Sequence, residues 1–207
     1  MTDARNLVAV AHQVTAAERA TWTGHFGAVV WLTGLPASGK STLAMALERT
    51  LSDLGWWAFT LDGDNVRRGL NSDLGFSPDD RQENIRRIGE VAALFADAGT
   101  VCITAFISPY REDRSRARTA AGPLRFFEVH VNSGLATCEQ RDPKGHYRKA
   151  RAGLLRDYTG VDAPYEAPAH PDLTIDTETH GIDACVAQLL DYVVARCKAP
   201  GVAPRRG

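Results

Sequence analysis

Apolar residues along this chain gather in two kinds of segment that alternate. Short, nearly unbroken runs occupy 28–33, 56–61, 100–107, 126–131 and 173–175. Their length and their valine, isoleucine and aromatic content predict buried β-strands. Between and after them, helical patterns cover 41–54, 81–98, 111–121, 134–141 and 182–196. In 81–98, for instance, Ile85, Ile88, Val91, Ala92 and Phe95 share one face and are predicted to meet the core. Strands alternating with helices predict a three-layer α/β fold. A mostly parallel five-stranded sheet is covered by helices on both faces, with right-handed crossovers.

The same pattern sets the expected domain limits. Residues 1–25 are polar with a helical tendency, and Thr15-Ala16-Ala17-Glu18-Arg19 resembles a capped helix start. They read as an N-terminal arm. A single domain follows over 26–198, and the Pro- and Gly-containing stretch 199–207 reads as a flexible tail. There is no internal repeat and no low-complexity tract.

Charge narrows the class of partner. The formal net charge is −1, from 24 Lys and Arg against 25 Asp and Glu. A general nucleic-acid binder shows a basic excess, so no nucleic-acid partner is expected. No apolar run approaches the length of a membrane span, and the first residues lack a secretory signal. Cys102, Cys138, Cys185 and Cys197 form no Cys-x-x-Cys pair and no metal spacing. Inert thiols in a reducing cytoplasm are the expectation.

The most informative motif lies between the first strand and the first helix. Gly34-Leu35-Pro36-Ala37-Ser38-Gly39-Lys40-Ser41 is a glycine, four residues, then Gly-Lys-Ser, and Thr42 continues into the helix. This is a full phosphate-binding loop in its strand–loop–helix context. Glycines let backbone N–H groups wrap around phosphate oxygens at the positive end of the helix dipole. Lys40 adds a point charge for the outer phosphates, and the Ser41 hydroxyl suits Mg²⁺.

Other constellations fall on the same edge of the predicted sheet, where strands end and ligands bind. Asp62-Gly63-Asp64-Asn65 follows the second strand. Were the strand to continue, Asp62 and Asp64 would point the same way, as two carboxylates beside a triphosphate. One such carboxylate can accept a proton from an attacking hydroxyl; an Asp-Gly turn is the simpler alternative. Ser108, before Pro109, reads as a helix N-cap or as a site hydroxyl, and the cap is favoured. Arg81 and Asn84 share an edge in the first turns of a helix, where an anion is welcome. The segment 141–156 carries six Lys or Arg against one Asp. A basic segment of this kind can cover phosphates and exclude water, or be a solvated helix. After it, Tyr158 and Tyr165 offer a wall for a planar base, or simply pack.

The ordered set of motifs resembles the adenylyl-sulfate kinase family of P-loop kinases. The resemblance runs from about Asn6 to Val194. It rests on Gly34 to Thr42, on Leu61-Asp62-Gly63-Asp64-Asn65-Val66-Arg67, and on Leu74-Gly75-Phe76-Ser77. Asp80-Arg81-Gln82-Glu83-Asn84-Ile85-Arg86-Arg87 and Ala105-Phe106-Ile107-Ser108-Pro109 continue it. It closes with Cys138-Glu139-Gln140-Arg141-Asp142-Pro143-Lys144-Gly145, Lys149-Ala150-Arg151-Ala152-Gly153 and the run from Tyr158 to Glu166.

The resemblance implies a P-loop kinase fold and transfer of the ATP γ-phosphoryl group to the 3′-hydroxyl of adenylyl sulfate, with Mg²⁺. It implies that the loop holds the ATP phosphates, that Arg141 lies against the adenine, and that the segment from Lys144 onward is a lid. It assigns Asp62 to Mg²⁺ and to activation of the 3′-hydroxyl. Arg67, Phe76, Arg81 and Asn84 would line the acceptor site with backbone near Ile107 and Ser108, and Ser108 would be a candidate phosphorylated position. A homodimer is implied, as is a stand-alone kinase able to associate with a separate ATP sulfurylase. Three departures stand out: Pro36 lacks a backbone N–H, His146 follows Lys-Gly, and Asn132-Ser133-Gly134 leads into the helix before Arg141. Two other readings remain at this point: a kinase for another small hydroxyl substrate, and a catalytically weak nucleotide-binding partner of a sulfurylase. Intact Lys40, Ser41, Asp62 and Asp64 speak against the second.

Overall fold

The computed structural model describes residues 8 and 10–201. Its elements begin with α1 (Ala16–Thr23), β1 (Ala28–Thr33), α2 (Lys40–Asp53), β2 (Ala58–Asp62), α3 (Gly63–Val66) and α4 (Pro78–Asp97). They continue with β3 (Val101–Ala105), α5 (Arg111–Ala121), β4 (Arg125–Asn132), α6 (Leu135–Arg141), α7 (His146–Arg151), β5 (Leu173–Asp176) and α8 (Ile182–Cys197). The five strands pair in the order β2-β3-β1-β4-β5, and every pairing is parallel.

Strand β1 shows why the sheet needs two covers. All six of its residues are buried, and successive side chains leave opposite faces. Val30 and Leu32 pack with Leu43, Leu47 and Leu51 of α2 and with Leu189 and Val193 of α8. Val29 and Trp31 pack the other way, against Ile85, Ile88 and Ala92 of α4 and Ala117 of α5. Of the α4 positions predicted to face inward, Ile85, Ile88 and Ala92 are buried, and Val91 and Phe95 are partly buried against the same cluster. The four cysteines are free and buried. Burial alone pushes Cys102 up to about 12.

Several boundaries differ from the sequence expectation. Strand β2 starts at Ala58, where pairing with Val101 begins, and runs on to Asp62. Strand β3 stops at Ala105. Helix α4 starts three residues before Arg81, because Ser77 caps it through the Asp80 N–H at 3.2 Å and Pro78 opens its first turn. Helix α1 has the capping box read from Thr15 and Glu18. At the other end, Ala199 is buried and its N–H donates to Gly24 O at 3.0 Å, so the chain past α8 is still tied to the fold there. Residues 202–207, also part of the expected tail, lie outside the described residues, as do 1–7 and 9 of the arm. No described helix is long and apolar enough to cross a membrane.

Candidate active site

The C-terminal ends of β1, β2 and β3 meet at one edge, and the residues singled out above gather there. The phosphate loop leaves β1 after Thr33. Gly34 is required by space, since a Cβ there would lie 2.4 Å from Val131 O on the neighbouring strand. Ala37 takes a left-handed conformation, φ 60°, which a side chain tolerates only when its surroundings hold it. The Lys40 ammonium folds back over the loop. It donates to Gly34 O at 2.9 Å and Leu35 O at 2.7 Å, with Ser38 Oγ at 3.4 Å. Burial lowers its pKa to about 8, although the Asp62 carboxylate and Cys138 oppose that shift.

Two sequence expectations fail beside the loop, each for a local reason. Asp62 and Asp64 do not point the same way, because the strand ends at Asp62 and α3 begins at Gly63. Asp62 caps that helix: its Oδ1 accepts the Asp64 N–H at 3.0 Å, and its Oδ2 accepts the Ser41 hydroxyl at 2.7 Å. The Asp64 carboxylate is exposed and pairs instead with Lys144 of the basic segment. Ser108 is not the cap of α5. Tyr110 holds that position without a side-chain bond. Ser108 is buried with φ 38°, and its Oγ accepts the Trp31 indole N–H at 3.1 Å.

Two further groups of side chains at this edge reach across the fold. Arg141 donates to Thr177 Oγ1 at 3.2 Å and Thr177 O at 2.5 Å, and the Thr177 hydroxyl in turn donates to Ser38 O at 2.8 Å. Arg141 therefore sits at the rim of the phosphate loop. On the other side, Arg67 donates to Leu74 O and Gly75 O, and its guanidinium lies 4.5 Å over the Phe76 ring. Arg81 donates to Phe76 O at 2.8 Å, Thr159 Oγ1 at 3.3 Å and Asp157 O at 2.6 Å. Partial burial lowers the Arg67 pKa, and the nearby Arg81 charge lowers it further. Such a like-charge pair suits an anion. Phe76 is 67% exposed. Asn84 departs from the expected anion edge. It lies on the inner face of α4, four residues from Ile88, is buried, and its Oδ1 accepts the Asn71 side-chain N–H at 2.9 Å.

Four residues that sequence reasoning missed hold this edge together. Thr33 Oγ1 donates to Ile107 O at 2.7 Å and meets the Tyr165 hydroxyl at 3.1 Å. Arg114 is 2% exposed and donates to Glu128 Oε1 at 2.6 Å, Ser108 O at 2.7 Å and Glu166 O at 2.7 Å. Tyr147 reaches Pro36 O, and Thr177 reaches Ser38 O. Only Tyr147 carried a signal, as the one aromatic residue inside the basic run; the others look like ordinary polar residues.

A phosphate loop whose serine meets the carboxylate ending β2, on a parallel sheet ordered 2-3-1-4-5, defines a P-loop phosphotransferase. The sequence profile described as adenylylsulphate kinase matches residues 26–176. An adenylyl-sulfate kinase of Citrobacter koseri is 58% identical over 188 residues, 91% of this chain and 93% of that protein. One from Staphylococcus carnosus is 49% identical over 193 residues, 93% of this chain and 97% of that protein. The solved Mycobacterium tuberculosis APS kinase, in complex with AMPPNP and APS, superposes with a TM-score of 0.78 at 48% identity. That match covers 81% of this chain and 97% of the other. The chain belongs to the adenylylsulphate kinase family.

Proposed function

We propose that this chain transfers the γ-phosphoryl group of ATP to the ribose 3′-hydroxyl of adenylyl sulfate, giving 3′-phosphoadenylyl sulfate and ADP. The observation that carries the reading is that Arg81, with the Arg67 charge nearby, bonds Thr159, whose neighbour Gly160 packs on Leu35 of the phosphate loop. One pole of the site suits a polyphosphate and the other an anionic acceptor, here the phosphosulfate. Phe76 and Tyr158 supply aromatic surface at the acceptor end.

The family resemblance suggests the role of each residue, and the geometry is consistent with it. Gly34 to Thr42 hold the ATP phosphates with backbone N–H groups, and Lys40 turns its charge from its own loop carbonyls to the phosphate oxygens. Arg141, fixed by Thr177, flanks the adenine. Asp62 accepts the proton of the 3′-hydroxyl as its oxygen bonds to the γ-phosphorus and the bond to ADP breaks. Ser41 Oγ and Asp62 Oδ2 are hard oxygen donors that suit Mg²⁺, which when bound supplies charge neutralisation at the phosphates. Among the described residues there is no cluster of three or more His, Cys, Asp or Glu side chains arranged for a metal. An ion held by one hydroxyl, one carboxylate and substrate oxygens needs no such cluster. Lys144, tied to Asp64, brings the basic segment over the phosphates. Direct transfer needs no enzyme-bound phosphate, so Ser108 serves through its backbone, held by Arg114. A homodimer, implied by the family resemblance, is part of the proposal and is checked by sedimentation.

The deciding assay is ADP release from Mg·ATP with adenylyl sulfate as acceptor, beside AMP and gluconate. A product one phosphoryl group heavier than adenylyl sulfate is expected. Turnover confined to another acceptor would sink the assignment.

A further inference from the structure

Helix α7, the turn after it and the phosphate loop meet along a seam that the chemistry above leaves unused. Tyr147, on α7, is 2% exposed, and its hydroxyl donates to Pro36 O at 3.1 Å. Burial pushes its phenol well above the usual range, so it stays a donor. A trans peptide is planar, with its C=O and N–H opposed. Holding the Pro36 carbonyl therefore also sets the direction of the Ala37 N–H, one of the loop's donors. Ala37 is the strained residue of the loop, so a neighbour that fixes its peptide has work to do there.

The seam continues to the acceptor wall. The Tyr147 ring meets Tyr158 edge-on, with centroids 5.0 Å apart. Gly160 packs its backbone against the loop: a Cβ there would lie 3.1 Å from Leu35 Cδ2 and 3.6 Å from the Tyr147 hydroxyl, at φ +92°. The turn is braced internally, because Asp162 accepts the N–H groups of Asp157 at 2.8 Å and Tyr158 at 2.6 Å. From the far side, Arg81 holds Thr159 and Asp157. A continuous packed path thus joins Pro36 to Arg81.

We propose that Tyr147 is a positioning residue that couples the two substrate sites: by its hydroxyl on Pro36 and its ring against Tyr158, it makes the phosphate loop and the acceptor wall settle together. The inference rests on the reading above, in which the loop takes ATP and the Arg81 wall takes adenylyl sulfate.

The test is calorimetric. AMPPNP affinity is measured with and without saturating adenylyl sulfate, for wild type and Tyr147→Phe. The ratio of the two affinities is the coupling factor. In wild type it should differ clearly from one. In Tyr147→Phe it should move about 3- to 10-fold toward one, the worth of a single hydrogen bond. A merely structural role would lower Tm and both affinities and leave the ratio unchanged. Gly160→Ala strains the same seam while leaving the Tyr147 hydroxyl in the chain, and should reduce the coupling as well. A wild-type ratio of one, or an unchanged ratio in the variants, overturns the inference. Wild-type turnover is assayed in parallel. No product from adenylyl sulfate overturns the functional reading and this inference with it, whereas product with unchanged coupling overturns this inference alone.

Discussion

The Ser41 hydroxyl donates to Asp62 Oδ2 at 2.7 Å, and this one bond joins the phosphate loop to the end of the second strand. Asp62 is 9% exposed, and its other oxygen caps α3. The carboxylate is thus held in place by two donors. Asp62→Ala should lower kcat by at least about 100-fold, the scale of a lost general base, while ATP still binds measurably. Near-normal turnover in that variant would remove Asp62 from the chemistry.

Arg81 donates to Phe76 O, Thr159 Oγ1 and Asp157 O, around the proposed acceptor end. Arg81→Ala should raise the KM for adenylyl sulfate by about 10-fold or more, with a smaller change in the KM for ATP. An effect confined to ATP would place Arg81 on the wrong side of the site.

Lys40 has a pKa lowered to about 8 by burial, and phosphate oxygens beside it should raise it again on binding. The sign follows from linkage. Well below pH 8 the ammonium is already protonated and ATP binding takes up little proton from this group. Toward pH 9 binding should take up most of one proton, and ATP affinity should fall as pH rises through this range. Calorimetry in buffers of different ionisation enthalpy reads the uptake, and Lys40→Met should abolish it.

Arg114 and Glu128 form a largely buried pair, 2% and 17% exposed at the side chain, and Arg114 also serves two backbone carbonyls. Arg114→Met leaves the carboxylate and both carbonyls without that donor. A loss of about 3–5 kcal/mol is expected in denaturant unfolding. A loss under about 1 kcal/mol would mean that the pair is dispensable.

His25 is fully buried and stacks on Trp56 with centroids 4.6 Å apart. Its Nε2 accepts the Trp57 N–H at 2.9 Å, so Nδ1 carries the proton and donates to Phe26 O at 3.1 Å. Burial lowers its pKa below the ordinary 6.5. The neutral ring therefore contributes fully above about pH 6.5, and the contribution is lost as pH falls toward the folded value. His25→Phe keeps the stack and loses both bonds. The stability gap between wild type and His25→Phe should shrink as pH drops below 6.5, and a constant gap would contradict this assignment.

Much of this architecture was legible one segment at a time. A strand such as β1 is an unbroken apolar run because both its faces are covered, and the phosphate loop is a local motif whose function is carried by its own backbone. Local reasoning failed where two local rules competed. Asp62 and Asp64 fit a continuing strand, yet Asp-Gly is also a helix start, and α3 won. Ser108-Pro109 fits an N-cap, yet the Trp31 indole and the Arg114 guanidinium claim the serine from distant parts of the chain. Ser77-Pro78-Asp79-Asp80 was a readable helix start that the apolar periodicity of 81–98 overshadowed.

The sequence by itself determined the alternation of strands and helices, the phosphate loop and the family, because each is written in neighbouring residues or in an ordered series of short motifs. The tertiary structure alone decided the partners: Arg141 with Thr177, Lys144 with Asp64, Tyr147 with Pro36, Arg114 with Ser108 and Glu166. Side chains bond at a few ångströms, and in a parallel sheet the crossovers bring residues distant in the chain to that range. No local pattern encodes which of many polar residues will meet.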